Sequence, residues 1–260
     1  MNDISYTKPN SERIVMNEQW IGKKVAFFGG SFTDKKRIGT TKVYWEYLAE
    51  SCGIVPLSYG INGNSWKHVI PQAEQLLAEH GTDVDAIFIF MGTNDYNHSA
   101  PLGVWYDYRE EETNCHGVMK TKMRRYFNTS GSTVRGRINA AMEFLKRHFP
   151  LQQIVLMTPP HRAFAQFSET NVQPEETFPN ELDRYLEDYI GCLREAGDIW
   201  SVPVIDLYSD CGLFPVFDEY TRYFHSAETD RLHPNAAGHK RIAETIRYRM
   251  QTLPATFRDC

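Results

Sequence analysis

Four short polar segments of the sequence carry residues that could act together in acyl transfer. They contain a serine after two glycines, a glycine between two asparagines, an Asn-Asp pair, and a histidine three residues after an aspartate. The segments are GGSFT (29–33), GINGNS (60–65), GTNDYN (92–97) and DRLHPN (230–235). Serine, histidine and aspartate side chains supply the nucleophile, base and orienting carboxylate that acyl transfer needs.

Ser31 is the predicted nucleophile. A serine hydroxyl is a weak nucleophile until an adjacent imidazole takes its proton, and His233 can act as that base. Asp230 lies three residues before His233, close enough on a turn for its carboxylate to bind the other ring nitrogen and fix the tautomer. Each residue alone has a structural explanation, since a serine after glycines is often a tight turn and a histidine before proline is often a loop residue.

The same segments offer hydrogen-bond donors for an oxyanion. A tetrahedral intermediate is stabilised by preorganised donors aimed at its developing alkoxide. The predicted donors are the backbone N–H groups of Ser31 and Gly63 and the side-chain amide of Asn94. Glycine at position 63 lets the backbone approach a substrate closely, and the amide is a neutral donor that does not compete as a base. An Asn-Asp pair after a strand is also a common turn or helix cap.

The elements that must position these residues alternate as short apolar runs and longer amphipathic stretches. This alternation is typical of β-α-β units and predicts an α/β fold with a parallel sheet. The predicted strands are 25–28, 54–58, 86–91, 153–158 and 204–207, and the predicted helices are 41–50, 66–80, 134–148, 181–196 and 235–250. Ligands of open parallel sheets bind beyond the carboxyl ends of the strands, where three of the polar segments fall.

Two stretches interrupt the alternation. The segment 96–132 is too long and irregular for an ordinary strand-to-helix connection, so we expect a loop insertion near the active site. A second irregular loop extends to about residue 180. No internal repeat, low-complexity tract or shift in composition marks a domain boundary. We therefore expect one domain over 1–260, with an N-terminal extension over 1–22.

The four segments resemble the blocks that define the SGNH superfamily of GDSL-type esterases and lipases. The superfamily is named for the serine, glycine, asparagine and histidine of its blocks, and the segments occur here in the family's order. The resemblance implies that Ser31 is the nucleophile, Asp230 and His233 its acid and base, and Gly63 and Asn94 oxyanion donors. It also implies the SGNH hydrolase fold, a three-layer α/β/α, flavodoxin-like arrangement around a five-stranded parallel sheet with long loop insertions.

One position departs from the family's pattern. The usual first block is Gly-Asp-Ser, and Gly30 stands where the aspartate would be. That aspartate is not the proton acceptor of the nucleophile, so we expect catalysis to survive. A hydrogen bond that braces the serine turn is then either missing or supplied by another group, for which Asp34 is a nearby carboxylate.

Aromatic and charged side chains are mixed in two loops, 96–132 and 209–229. Such a mixture suits a sugar ring better than a lipase lid, which should be more continuously apolar. We predict a serine esterase of small oxygen esters, and the resemblance allows a deacetylase of acetylated carbohydrate. Trp105, His161 and Arg162 are candidate substrate contacts. The aromatic side chains could instead pack the loops against the sheet or form a subunit contact in a homo-oligomer.

Other functions stay open at this point. The chain could be a lysophospholipase or thioesterase-type acyl hydrolase, or a catalytically silent module that binds a ligand on the same fold. A metal-dependent hydrolase built from Asp230, His233 and His239 is disfavoured, because D-x-x-H-x5-H is not a recognisable set of metal ligands. We expect no metal and no cofactor.

Bulk properties restrict the partners and the compartment. The net charge of −5 gives no general attraction to nucleic acid or anionic lipid, and no apolar run has the length of a membrane span. Five scattered cysteines without a C-x-x-C pair fit a reduced protein. The N-terminus lacks the apolar region of a signal peptide, which predicts a cytoplasmic protein, or a secreted or periplasmic one if a leader was removed.

Overall fold

The computed structural model describes residues 18–258 and contains a central parallel sheet. The strands, in chain order, are β1 (Lys24–Gly29), β2 (Val55–Ser58), β3 (Ala86–Phe90), β4 (Tyr106–Cys115), β5 (Val118–Phe127), β6 (Gln153–Met157), β7 (Ala165–Gln166), β8 (Val172–Gln173), β9 (Val204–Ile205), β10 (Phe224–Ser226) and β11 (Asp230–Pro234). The helices are α1 (Tyr44–Cys52), α2 (Val69–His80), α3 (Thr93–Asn97), α4 (Val134–His148), α5 (Leu186–Trp200), α6 (Leu207–Asp210) and α7 (Ala236–Met250).

The central sheet has the order β2-β1-β3-β6-β9, and every neighbouring pair is parallel. β1, β3 and β6 consist almost wholly of buried residues, as expected for parallel strands that are covered on both faces. Side chains of α2, α4 and α5 cover one face, and those of α1 and α7 cover the other. The predicted three-layer α/β/α fold with five parallel strands is confirmed.

The pairing of β1 with β3 determines where the polar segments lie. The two strands pair in parallel from Val25 with Ala86 to Gly29 with Phe90. Both strands therefore end at the same level, and the chain leaves them as GGSFT and GTNDYN. β2 ends beside β1, and its following segment is joined to the first by a bridge between Asp34 and Gly60. Three of the four segments thus meet at one edge of the sheet.

The segment predicted as an irregular insertion is in fact largely a regular β-hairpin. β4 and β5 pair antiparallel over ten residue pairs, from Tyr106 with Phe127 to Cys115 with Val118. His116 and Gly117 connect them with φ values of 55° and 84°, which match the type I′ turn that two-residue hairpins favour. The expectation of irregular structure over 96–132 was wrong because both strands are mainly exposed and show no core-facing period.

Two smaller differences concern the C-terminal half. The last polar segment, expected as a turn, forms β11 in a four-stranded sheet of order β10-β11-β7-β8. α5 begins at Leu186 instead of 181, and the preceding residues are irregular.

Most of the predicted N-terminal extension, residues 1–17, lies outside the described residues. Trp20, near the extension's end, is fully buried and donates a hydrogen bond from its indole to the Met250 carbonyl at 2.9 Å. None of the helices within residues 18–258 is both long and apolar enough to cross a lipid bilayer.

Candidate active site

Ser31 lies on a short turn of 3-10 helix directly after β1. The turn covers Ser31–Thr33, and the side chain of Gln72 on α2 clamps the strand end that precedes it. The Gln72 carbonyl accepts from the Gly29 N–H and its amide donates to the Gly29 carbonyl, both at 3.0 Å. This two-point clamp fixes the backbone two residues before the hydroxyl.

His233 and Asp230 form a buried hydrogen-bonded pair. The His233 Nδ1–H donates to Asp230 Oδ2 at 2.9 Å, and the backbone N–H groups of His233 and Leu232 donate to Oδ1 at 2.9 and 3.1 Å. Burial disfavours the charged carboxylate, but these hydrogen bonds outweigh it and hold the pKa of Asp230 below its ordinary value. An ionised Asp230 fixes the imidazole tautomer and leaves Nε2 as the proton acceptor.

Aromatic rings orient the imidazole of His233. Phe32 meets it edge to face at a centroid distance of 5.9 Å, and Phe167 meets it at 5.4 Å. Phe32 directly follows Ser31, so the ring that contacts the histidine is attached to the serine turn itself. The His233 side chain is only 6% exposed.

The candidate oxyanion donors come from the loops after β1, β2 and β3. The Asn94 amide donates one N–H to the Asn64 carbonyl at 2.8 Å, which leaves its second N–H available. Gly63 has a φ of 82°, a conformation that favours glycine. Within residues 18–258 the backbone N–H groups of Ser31 and Gly63 donate to no protein acceptor. All three donors are therefore free to bind an anionic oxygen.

These residues share one cavity of about 400 Å³. Its lining includes Ser31, Gly63, Asn94 and His233, so four residues that the sequence singled out face the same space. The remaining lining mixes apolar and polar side chains and consists of Ile38, Asn62, His98, Phe167, Asn171, Gln173 and Leu232. Asp230 lies behind His233 and contacts its Nδ1.

A second, much smaller recess opens beside Ser31. It has a volume of about 20 Å³ and is lined by Gly30, Ser31, Phe32, Asn64 and the segment 90–94. A space of this size holds about one water molecule or one methyl group. Ser31 and Asn94 border both the recess and the larger cavity.

Gly30, the departure from the family's pattern, lies where a side chain does not fit easily. A Cβ at this position would lie 3.0 Å from the Asn64 carbonyl oxygen and 3.2 Å from Asn94 Nδ2. It would therefore press on the hydrogen bond that orients the Asn94 amide, and it would narrow the recess that Gly30 lines. The absence of a side chain leaves both intact.

Asp34 braces the second loop. Its buried carboxylate accepts from the backbone N–H of Asn62 and of Lys36, both at 2.8 Å, and thereby joins the serine segment to the residue before Gly63.

Gln72 was not singled out from the sequence. One feature of the sequence could have revealed it: Gln72 is a polar residue on the otherwise apolar face of α2, which also carries Val69, Ala73 and Leu76.

The predicted substrate contacts lie outside both cavities. Arg162 is buried, donates to Asn97 and to the Pro174 carbonyl, and lies over the Tyr96 ring. His161 is bound to Glu176 and packs on Tyr208 at a centroid distance of 3.7 Å.

Trp105 is at the base of the β4–β5 hairpin, where its indole donates to Glu195 of α5 at 2.5 Å. Of the segment 96–132, His98 is the described residue that lines the larger cavity.

His239, the third residue of the disfavoured metal site, faces the core. Its ring is fully buried, stacks on Tyr44 at 6.3 Å and meets Phe32 at the same centroid distance. Neither ring nitrogen has a hydrogen-bond partner within residues 18–258. Burial, together with the charge of His233, lowers the pKa of His239 to about 3. No cluster of three or more metal-ligating side chains occurs in the described part of the chain.

The comparisons with known proteins agree with the fold and the motifs. The model of the GDSL-like Lipase/Acylhydrolase family matches residues 27–241, a range that includes Ser31, Gly63, Asn94, Asp230 and His233. This match covers most of the chain, so the chain belongs to the GDSL-like lipase/acylhydrolase family and is a GDSL-family hydrolase. A search of the curated proteins found no match.

Several solved structures share the fold. A protein from Lactobacillus plantarum is 21% identical, with 89% of this chain and 98% of that chain covered and a TM-score of 0.69. A possible lipase from Chitinophaga pinensis is 17% identical, with 88% and 97% covered and a TM-score of 0.65. An acetylxylan esterase from Geobacillus stearothermophilus, solved as a catalytic mutant, is 17% identical, with 91% and 98% covered and a TM-score of 0.52.

The buried imidazole of His239 predicts a loss of stability in acid. The folded state keeps the ring neutral down to about pH 3, whereas the unfolded chain protonates it near its ordinary pKa of 6.5. The unfolded state therefore binds more protons between these values, and the free energy of unfolding falls as pH decreases, by up to about 1.4 kcal/mol per pH unit from this group. In His239→Leu that contribution disappears, so the free energy of unfolding should depend less steeply on pH. Urea unfolding measured from about pH 7 to about pH 4 gives this dependence for both proteins.

The control for this experiment is His225→Leu, because His225 is exposed. It should retain the wild-type dependence of stability on pH. An unchanged slope in His239→Leu would show that the buried imidazole does not contribute to acid sensitivity.

Proposed function

We propose that this chain is a serine esterase that removes acetyl groups from small oxygen esters, with an acetylated carbohydrate as its substrate class. Ser31 is the nucleophile, His233 the general base and acid, and Asp230 the carboxylate that orients the imidazole. The observation that carries the proposal is the Asp230–His233 hydrogen bond behind a cavity that Ser31, Gly63 and Asn94 also line.

In the proposed acylation step, the Ser31 hydroxyl oxygen bonds to the ester carbonyl carbon while its proton passes to His233 Nε2. The carbonyl oxygen becomes an alkoxide that accepts from the N–H groups of Ser31 and Gly63 and from the Asn94 amide. The bond to the alcohol oxygen then breaks, and the leaving oxygen takes the proton from His233. The products of this step are the free alcohol and an acetyl ester on Ser31.

Deacylation repeats the sequence with water. His233 Nε2 removes a proton from a water molecule, whose oxygen bonds to the acetyl carbon, and the same three donors hold the alkoxide. The bond to the Ser31 oxygen breaks, and that oxygen recovers its proton from His233. Acetic acid is released and ionises in water, and the enzyme returns to its starting protonation state. Asp230 stays ionised throughout, which its lowered pKa favours.

The two spaces beside Ser31 support the assignment of the two halves of the substrate. A recess of about 20 Å³ has room for a group the size of a methyl, which favours an acetyl group over a longer acyl chain. The cavity of about 400 Å³ offers the side chains of Asn62, Asn171 and Gln173 to hydroxyl groups and the ring of Phe167 to a sugar face. One structural relative is an acetylxylan esterase.

Two other candidates lead to different observations. A lysophospholipase or thioesterase-type hydrolase would place a long acyl chain in the larger cavity and would prefer long-chain esters. A catalytically silent binding module would bind a ligand without turnover and would resist serine-directed reagents.

Ser31→Ala should abolish hydrolysis of an aryl acetate, lowering kcat by roughly 10⁴-fold or more, because no other group would form the acyl-enzyme. The variant should also lose covalent labelling by an organophosphonate. Ser132→Ala, which changes an exposed serine, is the matched control and should keep both properties. Turnover that survives in Ser31→Ala would refute the mechanism, and a wild-type chain that is neither active nor labelled would favour the silent module.

Asn94→Ala should lower kcat by about a hundredfold or more and change KM little, because its amide acts on the oxyanion more than on the bound ester. Asn171→Ala provides the comparison, since Asn171 lines the same cavity on the side proposed for the alcohol. There the main effect should be a raised KM for an acetylated sugar. If steady-state kinetics show equal kcat losses in both variants, Asn94 has no special role in the transition state.

The volume of the recess predicts a preference for short acyl chains. Across aryl acetate, butyrate and octanoate, kcat/KM should fall by roughly tenfold or more at the first step, since added methylenes do not fit. Preference for octanoate would instead support the long-chain hydrolase.

The same recess can be tested by narrowing it. In Gly30→Ala the added methyl presses on Asn64 and Asn94, so activity toward acetate should decrease. Gly131→Ala is the control, because a Cβ there meets nothing within 4 Å.

A further inference from the structure

The β4–β5 hairpin forms an arm that extends from the body of the protein. The arm is defined as residues 106–127, and its two strands pair with each other and with no third strand of the described chain. Each strand rises about 3.3 Å per residue, so ten residue pairs give a ribbon roughly 33 Å long. An isolated two-stranded hairpin is marginally stable in water, so a surface that packs against this one would stabilise it.

The register divides the arm into two unlike faces. Cross-strand partners lie on the same face, and alternate residues along each strand lie on opposite faces. One face, which we call the apolar face, carries most of the large apolar side chains of the arm, which are Tyr106, Tyr108, Met119, Met123 and Phe127. Glu110, Glu112 and Arg125 are the charged residues of the same face.

The opposite face is polar and internally paired. Arg124 forms an ion pair with Glu111 at 2.8 Å. Arg109 and Arg124 both lie over the Tyr126 ring, at 5.2 and 4.9 Å. These contacts engage Arg109, Glu111 and Arg124 within the arm itself, and the charged side chains of this face are compatible with exposure to water.

The apolar face continues a hydrophobic surface that starts in the body. At the base of the arm Phe127 stacks on Trp200 of α5 at a centroid distance of 4.2 Å, and Trp200 packs against the core. Farther out, Tyr108, Met119 and Met123 are each 58% exposed. Aromatic and methionine side chains are enriched in the buried centres of protein interfaces.

The charges of the arm favour a second copy of this chain as the partner. β4 is mainly acidic, and its charged residues are Asp107, Arg109, Glu110, Glu111 and Glu112. All charged residues of β5 are basic, and they are Lys120, Lys122, Arg124 and Arg125. A polyanion such as nucleic acid or an anionic membrane would match β5 and be repelled by β4. A second copy presents both signs and can match both strands.

The buried area distinguishes between two ways in which two copies could associate. One face of a ribbon about 33 Å long and about 10 Å wide covers roughly 330 Å², whereas a stable dimer buries about 800 Å² per partner. Two arms packed only on each other fall well short of this value. If each arm lies on the body of the other copy, every protomer buries its own arm face and the surface that receives the partner's arm. The buried area is then roughly 660 Å² per partner, near the lower end of the range of stable interfaces. We propose that the protein is a homodimer held by such a reciprocal exchange of arms.

The test compares the oligomeric state of three proteins by sedimentation velocity over a range of concentrations. The wild-type chain should sediment as a dimer. Met119→Glu/Met123→Glu adds two charges to the apolar face and should raise the dissociation constant by roughly a hundredfold or more. Thr113→Glu/Val118→Glu adds the same charge to the opposite face and should leave the dimer largely intact. Circular dichroism checks that both variants are folded.

Three results would overturn the proposal. The wild-type chain could stay monomeric up to its solubility limit, the two double variants could weaken a dimer equally, or a monomer could bind anionic vesicles through the arm. The last result would assign a membrane as the partner. Because the arm lies outside the cavity at Ser31, each result is independent of the esterase activity.

Discussion

The parallel pairing of β1 with β3 is the constraint on which the rest of the candidate site depends. This pairing ends at Gly29 and Phe90, so the chain leaves both strands at the same level. The next residues are Gly30 and Ser31 on one side and the segment leading to Asn94 on the other. Ladder hydrogen bonds hold the two strands, and side chains then connect their loops, as in the hydrogen bond from the Asn94 amide to the Asn64 carbonyl.

Buried polar groups around this edge are paired in a way that leaves the reactive atoms free. The Gln72 side chain forms hydrogen bonds with both backbone groups of Gly29. The Asp34 carboxylate accepts from the N–H of Asn62. The Asp230 carboxylate accepts from the Nδ1–H of His233. Each hydrogen bond satisfies a group that would be costly to bury alone and fixes a neighbour of the site. The fold itself therefore organises the candidate site, and such preorganisation is the condition for electrostatic stabilisation of a transition state.

The sequence predicted the elements whose patterns arise from the core. The bounds of α4 agree with the expected 134–148, because an amphipathic run follows Thr133, whose hydroxyl caps the helix. The pattern missed the arm, because charges interrupt the apolar alternation on strands that no core covers. It also missed Gln72, whose role depends on a contact 43 residues away that no local spacing reveals. The clustering of Ser31, Gly63, Asn94 and His233 could be predicted from the sequence. Each of these residues lies in a short motif, and three of the motifs directly follow predicted strands.

In the proposed mechanism the reaction passes through an acyl-enzyme on Ser31, and trapping that species tests the mechanism most directly. The wild-type enzyme would be mixed with an excess of aryl acetate, quenched in acid within one turnover, and digested for mass spectrometry. The proposed mechanism predicts one acetyl group, carried by Ser31 in the peptide that contains GGSFT. Hydrolysis of the ester with no covalent acetyl group, or with the group on another residue, would contradict it.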